Sequence, residues 1–380
     1  MTIGDKKEFE PVLSDSTLNW RHFHQPQELV APLDRSLQAN DLLLVKGDRN
    51  EKTFLLPDGL RQRSREHFYQ GPDAVAPETI RAELHPLTPA ELPRVKEALA
   101  RGGSTGWAFS VPFMLAVDRS SKRTSLLWQE VEGSISIFVL REGERPRLDL
   151  YAPPFPANPE ALRRSLEIAN RHNRDHSAKI YWIDEKDAAM VAAQPGLQVR
   201  RKLQEYLYCP DDFAQLSGTR FCDFRRNLRL AKTLSGLEAR PYLPEDADDC
   251  LALLEHWERN QGKKYESLRD RSFTRACFEL APLLSDNDLR GEIFLVEGKT
   301  RGFAFGGEIR PGLGSFLVRK ASPELRGLSY FIFLNFLRTF SDCALVNDGS
   351  DMESDGLRQH KAHLRPCGMH SMFKARQDRL

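Results

Sequence analysis

Near its end the chain reads Val346-Asn347-Asp348-Gly349-Ser350-Asp351, then Ser354-Asp355-Gly356-Leu357-Arg358-Gln359-His360-Lys361, closing at Arg365-Pro366. The short run Cys343 to Val346, apolar and ending on a β-branched residue, predicts a strand, and Asn-Asp-Gly-Ser predicts a turn where it stops. Ser354-Asp355 reads as the cap of a short helix that carries Arg358 and Lys361 at i, i+3 on one face. Asp348 and Asp351 leave the strand end just before that helix. Carboxylates at a strand end beside paired cations suit a cleft for an anionic substrate. A solvated loop with ordinary surface charge has the same local pattern.

Working back from this stretch, the second half starts after Pro210-Asp211-Asp212. It reads as a basic helix (218 to 234), a strand (237 to 243), helices at 245 to 261 and 269 to 284, then antiparallel strands at 291 to 296, 302 to 309 and 315 to 320. A helix (327 to 340), the strand and short helix already quoted, and a last strand (370 to 375) complete it. That βααβββαβαβ order resembles the GNAT (acyl-CoA N-acyltransferase) fold. From Thr79 to Cys209 a looser version of the same order appears. It has a strand at 80 to 87, a capped helix from Thr88 to Ala100 and strands at 125 to 131, 134 to 140 and 147 to 151. A helix from 158 to 173, a strand at 178 to 183, a short helix at 185 to 193 and a strand at 197 to 209 follow. The expected architecture is mixed α/β (α+β). It comprises an N-terminal extension, 1–77, a first GNAT-like domain, 78–215, and a second, 216–380. Within the extension, 41–47 and 53–59 read as a strand pair, and Gln70-Gly71-Pro72-Asp73 with Ala76-Pro77 as a boundary.

The totals narrow the class. The chain has 380 residues, a formal charge of +1, 40% hydrophobic and 29% charged residues. This is an ordinary globular composition, enough for two or three domains. No apolar run approaches the roughly 20 residues that span a bilayer, and the first ten residues lack a signal-peptide core, so a cytoplasmic location is expected. All six cysteines lie between Cys209 and Cys367 without metal-ligand spacing and read as reduced thiols; no metal and no cofactor are expected.

Three features bear on chemistry. In the GNAT fold the loop after the fourth strand holds a pyrophosphate on backbone N–H groups, which needs glycines for close approach. Here that loop is Lys320-Ala321-Ser322-Pro323-Glu324-Leu325-Arg326-Gly327-Leu328-Ser329-Tyr330. One glycine, a proline and bulky Leu328 and Tyr330 disfavour coenzyme A. Arg326 and Gly327 still suit a single phosphate or a carboxyl ester, and equally a plain helix cap. The second feature is the basic helix. Phe221, Phe224 and Leu228 give it a buried face, with Arg225, Arg229 and Lys232 opposite and Arg220 and Arg226 beside them. A phosphate backbone or plain solvent would suit that face. The third is an absence: no G-x-S-x-G, H-E-x-x-H or P-loop motif occurs. Direct attack on an activated ester needs no covalent nucleophile, only a proton acceptor and charge stabilisation. Asp348, Asp351, Arg358 and Lys361 are the candidates for these roles, with Asn347 and His363 at the edges. Trp107, Phe109, Phe113 and His256 read as packing residues.

Gly218-Thr219-Arg220-Phe221 with Arg225-Arg226-Asn227, then Val346-Asn347-Asp348 and Asp351, then Gly356-Leu357-Arg358-x-x-Lys361 and Pro366 resemble the C-terminal domain of phosphatidylglycerol lysyltransferases, and more closely their stand-alone relatives. The resemblance covers residues 79 to 377. It implies two tandem GNAT folds enclosing a tunnel, and transfer of an aminoacyl group from aminoacyl-tRNA to an acceptor, a lipid in the founding members. It also places Asp355, Arg358 and Lys361 in that family's E-G-L-R-x-x-K segment. Two departures weaken a phosphatidylglycerol acceptor: no membrane-spanning domain is present, and Leu345-Val346-Asn347-Asp348-Gly349 replaces the family's glycine- and methionine-containing segment. The leading expectation is a soluble aminoacyltransferase with aminoacyl-tRNA as donor and a small-molecule or lipid acceptor, with peripheral membrane contact open. An N-acyltransferase using acyl-CoA or a carrier thioester, and a non-catalytic binding protein, are the alternatives.

Overall fold

The structure, a computed structural model, describes residues 2–3, 22–23, 76–120, 123–261 and 271–377. Two short strands, β1 (Thr2–Ile3) and β2 (His22–Phe23), pair in parallel; the strand pair expected at 41–59 lies outside the described residues. Residues 76–380 form one compact unit.

Helix α1 (Pro77–Ala82) opens that unit. A first repeat follows: β3 (His85–Pro86), α2 (Leu92–Gly102), α3 (Val111–Ser120), β4 (Thr124–Val131), β5 (Ser134–Arg141), β6 (Arg147–Leu150), α4 (Pro159–Asn173), β7 (Lys179–Asp184), α5 (Ala188–Ala192) and β8 (Leu197–Tyr208). Helices α6 (Asp212–Gln215) and α7 (Cys222–Ala231) lead to the second repeat. It contains β9 (Glu238–Pro241), α8 (Ala247–Gln261), α9 (Arg271–Leu280), β10 (Arg290–Val296), β11 (Lys299–Arg310) and β12 (Leu313–Ala321). Then come α10 (Leu328–Arg338), β13 (Leu345–Ser350), α11 (Asp355–His363) and β14 (Gly368–Gln377). The element order is the same in both, so the fold is two tandem GNAT-like repeats.

The twelve strands β3 to β14 form one sheet in the order β3-β4-β5-β6-β7-β14-β8-β13-β12-β11-β10-β9. Among the described residues its parallel pairs are β6 with β7 and β12 with β13. The last strands are exchanged: β14 inserts between β7 and β8, and β8 between β14 and β13. The sheet therefore runs unbroken across the expected boundary at 215/216. One core is common to both repeats, joining Phe109, Met114 and Ile137 to Phe278, Phe303 and Leu313. Separate clusters lie under α7 and α10 and under α4.

Three sequence expectations need correcting. Ile80 is in helix α1, not a strand; Pro77 at its first turn presets a helical φ. Helix α3 was not foreseen, because Val111 to Ala116 are buried all round and leave no polar face to give a helical period. The Asn-Asp-Gly-Ser segment is not a turn: β13 runs on through Ser350. Asn347 Oδ1 accepts the Gly349 N–H at 2.9 Å, and Gly349 takes φ 64° where the register with β8 shifts, so turn-forming residues make a bulge instead.

Candidate functional site

The end of β13 and the first turns of α10 and α11 open into a cavity of about 1430 Å³. Its other walls are β8, β12, Trp107, and the aromatic side chains of α3, α8 and α9, so both repeats contribute.

At its polar end the charges are paired. Lys361, 4% exposed, donates to the Asp348 carbonyl and lies 3.4 Å from Asp348 Oδ2. Arg319 reaches the same Oδ2 at 2.8 Å, its guanidinium resting on Phe316 and Phe333. Burial lowers the Lys361 pKa, Asp348 opposes this, and Arg319 adds to the lowering. Asp351 Oδ2 accepts from Arg358 Nε and the Tyr206 hydroxyl, each at 2.9 Å. Burial works to raise Asp351, but these two bonds outweigh it and its pKa falls. Burial, with Asp351 nearby, pushes Tyr206 up to about 12. Burial and then Arg319 bring His360 down to about 4, so it is neutral near pH 7.

Beneath this end lies a buried carboxylate. Glu205 Oε2 accepts the Trp107 N–H at 2.9 Å and the Asn347 amide at 2.7 Å. Burial raises its pKa to about 7 against those bonds. Asp184 Oδ2 holds the neighbouring Thr105 and Gly106 N–H groups at 2.7 and 3.1 Å. The Trp107 indole is thereby fixed in the cavity wall, against Gly349, where an added Cβ would meet the ring at 3.5 Å.

The residues singled out from sequence fall into three groups. Asp348, Asp351, Arg358, Lys361, Arg326 and Gly327 meet at the cavity. Asn347 lies behind it, bonded to Glu205 and to the Thr105 carbonyl. Asp355 is exposed and pairs with Arg358 at 2.9 Å, and His363 is exposed outside the lining. The basic helix α7 is also outside the lining, packed on α10. There Arg220 pairs with Asp212 and the Arg365 and Pro366 carbonyls, Arg225 clamps the Leu216 and Gly218 carbonyls, and Arg226 pairs with Asp223. Arg229 and Lys232 are exposed. Gly327 has φ 83°, and a Cβ there would stand 2.2 Å from the Asn227 carbonyl of α7. This glycine lets two helices meet closely. Leu328 is fully buried and Tyr330 packs on Phe224 and His360.

Sequence reading missed Arg319, Glu205, Tyr206 and the cavity faces of Trp182 and Trp257. A glutamate inside the strand-forming run Leu203 to Tyr208 was the one visible signal for Glu205. Among the described residues no group of His, Cys, Asp and Glu could hold a metal, and no helix is long and apolar enough to cross a membrane.

No protein-family model matches the sequence, and no curated protein matches it. Solved structures do. A conserved protein of unknown function from Bacteroides thetaiotaomicron VPI-5482 superposes with a TM-score of 0.66 at 20% identity, over 78% of this chain and 99% of that one. L-PGS from Bacillus licheniformis gives 0.56 at 13% identity, over 78% and 94%. The C-terminal domain of a candidate lysylphosphatidylglycerol synthetase from Agrobacterium fabrum gives 0.53 at 15% identity, over 77% and 93%. At such identities the likeness is one of fold. The chain thus shares the tandem GNAT-like fold of lysylphosphatidylglycerol synthetase C-terminal domains, in agreement with the resemblance of its motifs.

Proposed function

We propose that the protein is an acyltransferase that moves an aminoacyl group from aminoacyl-tRNA to an amine or hydroxyl acceptor. The observation that carries this reading is one cavity with a paired-charge end, built by β12, β13 and α11, and an aromatic end where Trp107, Phe113 and Trp182 of the first repeat meet Phe273 of the second. The fold shared with L-PGS and the Gly356-Leu357-Arg358-x-x-Lys361 motif support the donor assignment. Against coenzyme A stands the 320–330 loop, which has one glycine, Gly327, whose missing side chain serves the close contact with α7 rather than the approach of a pyrophosphate.

In this reaction the acceptor lone pair attacks the ester carbonyl, the acceptor loses a proton, and the bond to the tRNA ribose oxygen breaks as that oxygen takes one up. Arg358, at the exposed rim and oriented by Asp351 and Asp355, meets the phosphate or ester end of the donor. Lys361 and Arg319 hold Asp348 and set a positive potential where charge develops on the carbonyl oxygen. Glu205, with both its bonds on Oε2 and a pKa near 7, suits the role of proton acceptor better than Asp351, whose pKa is lowered. Arg226 and Arg229 on α7, with Lys232 just after its end, are the face offered to the tRNA backbone.

The test is release and transfer of labelled amino acid from aminoacyl-tRNA in the presence of a cell extract as acceptor source. Arg358→Ala should lower transfer on the order of a hundredfold while its melting temperature stays that of the parent. Full transfer by a normally folded Arg358→Ala protein would refute the assignment.

A further inference from the structure

The aromatic end of the cavity carries a cation without a carboxylate. Lys202 projects from β8 into the lining, with Nζ 3.1 Å from the centroid of the Trp182 ring and one hydrogen bond, to the Tyr181 carbonyl at 3.1 Å. Among the described residues no Asp or Glu lies within ion-pairing distance of it, whereas Arg319, Arg358 and Lys361 each have one. Burial is the largest cause that brings its pKa down to about 7; Lys374 of β14 adds to the lowering and Glu205 opposes it. Around it, Phe113 packs between Trp107 and Trp182 at 4.3 and 6.1 Å, and Phe273 lies 5.4 Å from Phe113. Beyond the Tyr181 carbonyl and the face of the Trp182 ring, the Lys202 ammonium therefore has no hydrogen-bond acceptor among the described residues.

We propose that this end binds a small apolar acid, an aliphatic or aromatic body bearing one anionic group, with Lys202 taking the anion and the rings of Trp107, Phe113, Trp182 and Phe273 the body. A half-buried ammonium without a counterion has a solvation deficit that an incoming anion repairs, and the aromatic walls gain buried apolar area at the same time. The cavity exceeds the usual size of small-molecule sites, about 300–1,000 Å³, so such an acid and the end of a donor fit together. Only in naming this acid the acceptor does the inference rest on the proposed function; as acceptor it also bears the amine or hydroxyl that is acylated.

Calorimetric titration of the protein alone tests it, with 4-phenylbutyrate as the acid and 4-phenylbutanamide as its uncharged counterpart. The acid should bind about 30-fold tighter, the equivalent of one charge-assisted hydrogen bond. Lys202→Met, checked for folding by melting, should erase that preference without changing amide binding, and Lys202→Arg should restore most of it. Equal affinity for the two probes, no binding of either at millimolar concentration, or an acid preference surviving in Lys202→Met would each overturn the proposal. So would sedimentation with phosphatidylglycerol vesicles that depends on Lys202 while free acid does not bind, which would give the lysine to a lipid headgroup. No tRNA is present in these titrations. A failure here leaves the donor half of the reaction standing, and a failure of transfer leaves the binding result standing.

Discussion

Residues 151–158 and 322–327 occupy the same place in the two repeats, leading from the fourth strand into α4 and α10. The first loop is filled. Tyr151 to Phe155 are buried, and Phe155 exchanges two 2.8 Å backbone hydrogen bonds with Ile135 of β5 and meets Phe109 edge to face. The second loop is open. Pro323, Glu324 and Arg326 are exposed, and Ser322, Leu325 and Arg326 line the cavity. One topology used twice thus yields one plugged end and one end open to the cavity. Doubling a fold does not double its site, and the plugged repeat serves as the wall of its neighbour's cavity.

The most severe way to break this comparison is to unplug the first loop. Phe155→Ala should cost about 3–5 kcal/mol of stability, as large-to-small core changes do, whereas Arg326→Ala should stay within about 0.5 kcal/mol. Urea denaturation decides it, and equal losses would mean that the loops are not differently packed. Within the second repeat, Lys361→Met should cost about 3 kcal/mol by leaving Asp348 buried with Arg319 alone. A loss no larger than a surface substitution would show that the pair is solvated. Lys361→Met with Asp348→Asn should then cost less than the sum of the single changes.

The finest test uses Glu205, which β8 carries from the first repeat into the second. Its folded pKa lies near 7, above the ordinary 4.5, so the folded protein holds a proton that the unfolded chain releases between those values. The stability it contributes is present below 4.5 and is lost as pH rises through about 7. Glu205→Gln should flatten that slope, by at most about 1.4 kcal/mol per pH unit. In transfer assays the parent should show an acid limb near pH 7 that Glu205→Gln removes together with most of the rate. A limb unchanged in the variant would reassign the proton acceptor.

Much of the second repeat was legible because its strands are apolar runs bounded by charged and glycine-containing turns and its helices show an apolar face. Residues 291–296, 302–309 and 315–320 lie within β10, β11 and β12 almost to their ends. Arg358, Lys361, Asp348 and Asp351 were also legible, since a strand end and the next helix place them within a few residues of each other. Local pattern decided those elements because backbone hydrogen bonding and side-chain period act over one or two turns of chain. What only the tertiary structure decided is everything that depends on contacts distant in sequence. The exchange of β8 and β14, the meeting of Lys202 with Trp182, and the pairing of Arg319 with Asp348 leave no trace in local spacing. Glu205 is a polar residue in a strand by sequence. It becomes a carboxylate with a pKa near 7 because burial in the assembled sheet outweighs the lowering by its hydrogen bonds from Trp107 and Asn347, 98 and 142 residues away. Burial is a property of the assembled core, and burial sets the charge of that group.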